Sequence, residues 1–164
     1  MPLDLKTFTH IHVVISLLAI ASGFVILFGL IAGKRLDGWT AFFLATTVAT
    51  SVTGFGFPIH GITPGIVLGV ISLVVLAVAL YARYGRHLAG GWRLVYVITA
   101  VTALYLNVFV LIVQSFQKLA PLKALAPTQS EPPFAIVQGI ALVAFIALGI
   151  LAGKRFRAGP GNVA

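Results

Sequence analysis

The run from Leu94 to Gln117, LVYVITAVTALYLNVFVLIVQSFQ, contains no charged residue and no proline. As a helix it is long enough to cross a hydrocarbon core about 30 Å thick. Within it Tyr96, Ala100, Ala103, Asn107, Val110, Gln114 and Gln117 follow one another at alternating steps of four and three. That spacing lines them along one helical face, and the face is small or polar. The other sides carry Val97, Val101, Leu104, Val108 and Leu111. A carboxamide turned toward lipid has no hydrogen-bond partner, so the stripe is expected to face other helices. A chain organised around such a run folds as a membrane bundle.

Four further apolar runs read as its neighbours. The expected architecture is all-α, with five transmembrane helices at about 11–33, 38–59, 61–82, 94–117 and 134–153, in one domain covering residues 1–164. Only 9% of the chain is charged, against about a quarter in soluble domains. The first run is followed by Lys34 and Arg35, whereas a cleavable signal carries its basic residues before the apolar stretch; this one reads as a retained span. Pro64 suits the first turn of the third helix. Ser130 is expected to cap the fifth, with Pro132 and Pro133 in its opening turn.

The basic residues divide unevenly. Lys34, Arg35, Arg83, Arg86, Arg93, Lys154, Arg155 and Arg157 fall on one side of the expected spans, and Lys6, Lys118 and Lys123 on the other. The positive-inside rule then puts the N-terminus in the periplasm and the C-terminus in the cytoplasm, with Trp39 and Trp92 at the cytoplasmic interface. Orientation therefore accounts for the net charge of +8, and nothing in the chain resembles a nucleic-acid-reading module. The absence of cysteine excludes disulfides, thiolate nucleophiles, thiolate metal sites and covalent c-type haem. No Asp, Glu, Lys or Arg lies inside the expected spans, which argues against pumps and ion-coupled carriers. The likeness of Gly29–Arg35 to Gly149–Arg155 reads as two similar stop-transfer boundaries rather than a repeat.

The segments GWTAFFLATTVATSVTGFGFP, ARYGRHLAGGWR, ALYLNVFVLIVQSFQK and ALAPTQSEPPF resemble a group of small multi-pass membrane proteins found in many proteobacteria. The resemblance covers nearly the whole chain, and TQSEPPF and TSVTGFGFP are its most specific parts. It implies a bacterial inner-membrane location and no particular activity.

Polar residues in the other runs also fall on shared faces. The first helix has His12, Ser16, Ala19, Gly23, Ile26, Leu30 and Gly33; the second Thr46, Thr47, Thr50, Thr53 and Gly54; the third Gly61, Gly65, Gly69 and Ser72. The depth of each places His12, Ser16, Thr50, Thr53, Gln114, Gln117 and Gln138 in the outer half, with Asn107 near the midplane. Two readings follow. Small and hydroxylic residues pack helices together. Alternatively His12, Ser16, Thr50, Thr53, Asn107, Gln114, Gln117 and Gln138 line an outward-opening pocket for a quinone, haem b, metal or small ligand.

His10, His12, His60 and Glu131 are the candidate metal or haem ligands. His10 and His12 stand two residues apart and so diverge by about 200° around a helix. His87 belongs to the basic connection. A Ser16–His12 dyad has the right i,i+4 spacing but no third group. No cofactor is firmly implied. The expected function is that of a non-enzymatic accessory or assembly component of a membrane complex, whose partners are the lipid bilayer and other membrane subunits or a second copy of itself. A redox or ligand-binding protein using the outer half-bundle is the alternative, and a passive path for a small neutral solute is a third.

Overall fold

The computed structural model describes residues 4–58, 61 and 63–157. Its elements are α1 (Leu5–Ile31), α2 (Asp37–Gly54), α3 (Pro64–Leu80), a π-helical turn (Tyr81–Gly85), α4 (Trp92–Lys118), α5 (Ala120–Leu125) and α6 (Pro132–Arg155). There is no strand among the described residues.

The chain runs up and down. Gly56 lies beside Phe8 and Gly29 beside Leu36, so α1 and α2 are antiparallel. Ser51 meets Ser72 across α2 and α3, and Tyr81 meets Trp92 across α3 and α4. Gly149 and Gly153 of α6 face Val101 and Leu94 of α4. One end of the bundle therefore gathers His12, Thr53, Lys118 and Glu131, and the other gathers Arg35, Asp37, Arg83, Arg93 and Arg155. The buried centre is the α1–α4 seam: Ala19, Ile26, Leu27 and Leu30 from α1, with Tyr96, Val97, Ala100, Ala103 and Leu104 from α4. At its narrowest point is Gly23, where a Cβ would stand 2.4 Å from Leu104 Cδ1 and 2.9 Å from Phe43 Cε2.

Among the described residues, four helices are long and apolar enough to cross a membrane: α1, α3 with its π turn, α4 and α6. This gives the chain the make-up of a membrane protein, and four helices rather than the expected five meet that standard by length and composition. The exception is α2, which carries Asp37 in its first turn and Thr40, Thr46, Thr47, Thr50, Ser51 and Thr53 along its length. Several of those hydroxyls turn back onto their own helix, Thr46 onto Phe42 O (2.8 Å), Ser51 onto Thr47 O (3.0 Å) and Thr53 onto Ala49 O (2.7 Å). Its 18 residues are about 27 Å long, and its ends lie at the two ends of the bundle.

The boundaries differ from expectation where caps intervene. α1 begins earlier, because Asp4 Oδ1 accepts the Thr7 N–H (3.3 Å) and supplies an N-cap. The N-cap of α6 is Glu131 rather than Ser130. The proline-rich connection between α4 and α6 contains the short helix α5. A further change is at the end of α3, where the helix does not stop before Arg83. A 2.8 Å bond from Arg86 N–H to Tyr81 O closes a π turn. Gly85 lets the Tyr81 ring lie over the turn, since a Cβ there would stand 2.7 Å from that ring and displace it. Leu88, buried beneath the turn, donates its N–H to Ala82 O (3.0 Å).

Candidate functional site

At the end opposite the basic cluster, His12 Nδ1 lies 2.8 Å from Thr53 Oγ1. Thr53 has one hydroxyl proton and directs it at Ala49 O. With the Thr53 proton on Ala49 O, the imidazole donates through Nδ1–H and leaves Nε2 as an acceptor. The ring is half-buried and stands edge-on to Phe57, 5.1 Å between centroids, with Phe8 equally close to Phe57. Ser16 Oγ bonds to the His12 backbone carbonyl (2.7 Å) and not to its ring. The supposed Ser16–His12 dyad is thus not formed.

The other expected site residues are placed separately. Asn107 donates from Nδ2 to Thr47 Oγ1 (3.3 Å), joining α4 to α2 at the level of the fully buried Thr47. Gln138 donates from Nε2 to Phe109 O (3.2 Å), joining α6 to α4, while its Oε1 is buried without a partner, as is Thr50 Oγ1. Gln114 and Gln117 are exposed, because the α4 stripe leaves the helix interface beyond Asn107. Gln117 reaches Gln129 (3.3 Å), and Gln129, at φ +61°, turns its own amide onto Val113 O (2.8 Å). Of the residues expected to line one pocket, His12 with Thr53, Asn107 and Gln138 form ties between three different helix pairs.

Three of the four candidate metal or haem ligands, His10, His12 and Glu131, are among the described residues. Among the described residues, no group of three His, Asp or Glu side chains comes together. The exposed His10 turns Nδ1 toward Lys6 O (2.7 Å), and His60 lies outside the described residues. Glu131 closes the turn before α6, accepting from the Thr128 hydroxyl (2.8 Å) and from the N–H groups of Thr128 (3.2 Å) and Ser130 (3.2 Å). Desolvation pushes its carboxyl up. The bonds from the Thr128 hydroxyl and from the Glu131, Thr128 and Ser130 backbone outweigh that push, and the group is held below its ordinary value.

Two features at the basic end escaped the sequence reading. Arg83 is only 3% exposed. Its Nη2 bonds to Asp37, which Arg35 also contacts through Nε at 2.9 Å. The guanidinium lies 5.3 Å from the centre of the Tyr96 ring and 5.7 Å from that of Tyr84, within cation–π range. Arg83 Nε and Tyr96 Oη are buried without hydrogen-bond partners. The available signal was Asp37, the sole acid among the residues at the basic end.

The second feature is a cavity of about 520 Å³ between α4 and α6, lined mainly by apolar side chains such as Leu94, Ile98, Phe145 and Ile146, with Arg93 and Lys154 at one end. It lies in the half opposite the one in which a pocket was expected. Helical periodicity alone could not locate it, since it depends on how two helices cross. Comparison with protein-family models, with curated proteins and with solved structures finds no match to this chain.

Proposed function

We propose that this chain is a non-enzymatic, multi-pass protein of a bacterial inner membrane, serving as an accessory or assembly component of a membrane complex. One observation carries the reading: polar side chains from the outer half to the midplane are used to tie helices. His12 to Thr53 links α1 and α2, Asn107 to Thr47 links α4 and α2, and Gln138 to Phe109 O links α6 and α4. Bonds of this kind contribute about 0.6 kcal/mol each within a membrane bundle. The resemblance to small proteobacterial membrane proteins supports the location. Outside the bundle α6 presents Ile136, Ile140, Val143, Ile146 and Ile150, a face for lipid or for a neighbouring subunit.

In this reading α2 is a fifth span. Its Thr46, Ser51 and Thr53 hydroxyls bond to its own carbonyls, and Thr47, Ser51 and Thr53 meet side chains of neighbouring helices, so crossing within a protein bundle leaves few of them facing hydrocarbon. The N-terminus is then periplasmic, and the basic end cytoplasmic.

Two experiments test the proposal. The chain has no cysteine, so Gly38→Cys and Pro58→Cys each create a unique thiol. A membrane-impermeant maleimide added to spheroplasts should label the Pro58 position and not the Gly38 position; labelling of both from one side removes the fifth span. The second is purification in mild detergent with a visible spectrum, metal analysis and lipid extraction. A colourless, metal-free preparation that co-purifies with another membrane complex is expected. A Soret band, a stoichiometric quinone, or stoichiometric metal lost on His12→Ala would overturn the accessory reading.

A further inference from the structure

We propose that the groove between α4 and α6 binds one anionic phospholipid, with its phosphate held between Arg93 and Lys154 and an acyl chain laid along the apolar trough. The lining has the required polarity gradient. Arg93 and Lys154 stand at one end, and Leu94, Ile98, Val101, Phe145, Ile146 and Ile150 continue from them. The trough runs from Lys154 to Leu142 on α6, a rise of about 18 Å. One leaflet of the hydrocarbon core is about 15 Å deep. A single acyl chain therefore fits with its headgroup at the basic mouth. The volume of about 520 Å³ is within the ordinary range for a ligand site, about 300–1,000 Å³.

The mouth is built as well as charged. Arg93 donates from Nη1 to the carbonyls of Gly153 (3.0 Å) and Phe156, at the end of α6. This anchors the guanidinium, while its Nε and Nη2 groups make no hydrogen bond among the described residues. An anchored guanidinium presenting a planar pair of donors suits a phosphate oxygen pair. Gly153 and Gly149 bring α6 close to α4, their hypothetical Cβ atoms 3.1 Å from Leu94 Cδ1 and 3.4 Å from Val101 Cγ1. Side chains at those two positions would fill the trough.

Charge selects the occupant. Eight basic side chains gather at this end against one acid, Asp37, which already bonds Arg35 and Arg83. Basic pockets between transmembrane helices favour anionic headgroups. A second copy inserted the same way is disfavoured as occupant, because it would bring its own basic mouth to the same depth.

The test uses the full chain in phosphatidylcholine nanodiscs doped with phosphatidylglycerol, released for native mass spectrometry. Wild type should retain one phosphatidylglycerol in preference to phosphatidylcholine. Lys154→Gln should reduce that preference about fivefold, the effect of one basic side chain at an anionic surface. Ile98→Trp should reduce retention of either lipid by filling the trough, and Lys34→Gln, an equal charge loss away from the groove, should change little. No headgroup preference in wild type would overturn the proposal without recourse to any variant. So would an equal effect of Lys34→Gln and Lys154→Gln, or a dimer that Ile98→Trp converts to monomer with lipid retention unchanged.

Discussion

The Arg83 guanidinium lies 5.3 Å from the centre of the Tyr96 ring, under the π turn that carries it into the bundle. Burial of that cation depends on Asp37, which is 52% exposed. Removing one partner of a buried ion pair costs more than removing both, because the remaining charge is stranded. Asp37→Asn is expected to destabilise the bundle by about 1–3 kcal/mol, less than a fully buried pair because solvent reaches the carboxylate. The double variant Asp37→Asn with Arg83→Met should lose less than Asp37→Asn alone. Unfolding in mixed micelles, followed by tryptophan fluorescence, measures both; equal stability of Asp37→Asn and wild type would show that the pair contributes nothing.

Glycine positions should divide sharply by what a side chain would meet. A Cβ at Gly23 collides with Leu104 and Phe43, whereas one at Gly139 meets nothing within 4 Å. Gly23→Val should cost about 1–3 kcal/mol through overpacking. Gly139→Ala should be neutral, or stabilising by up to about 0.5–1 kcal/mol, since helical glycine has more backbone freedom to lose. The same micelle assay compares them, and a tolerated valine at Gly23 would mean the α1–α4 seam is looser than described.

The Asn107–Thr47 bond joins helices that are not neighbours in sequence, 60 positions apart. A double-mutant cycle with Asn107→Leu and Thr47→Val is expected to give a coupling of about 0.6 kcal/mol, typical of interhelical bonds in membrane proteins. Strictly additive losses would place the amide out of contact with Thr47.

Glu131 supplies a pH dependence. Its carboxyl is held below the ordinary value of 4.5 in the folded chain, so the ionised form favours the closed turn. That contribution is complete above about 4.5 and is lost as pH falls through the lower folded value. The Thr128 and Ser130 amide resonances should therefore shift together on acidification below 4.5, and Glu131→Gln should abolish the transition. A wild-type turn insensitive to acid would contradict the bonds assigned to the carboxylate.

How much was legible beforehand depended on the range of the interaction. Composition and the length of the apolar runs establish an all-helical membrane protein, because hydrocarbon forces backbone groups to be satisfied within each segment. The α1 stripe of Ala19, Gly23, Ile26 and Leu30 is buried as its spacing predicts, since periodicity reports which face a helix hides. Asn107 points inward for the same reason. Periodicity could not show that Gln114, on the same stripe, is exposed, because that depends on where neighbouring helices end. Nor could it join His12 to Thr53, carry Arg83 inward on a π turn, or open a trough between α4 and α6. Those features arise from contacts between residues far apart in the chain, and only packing the helices against one another decides them.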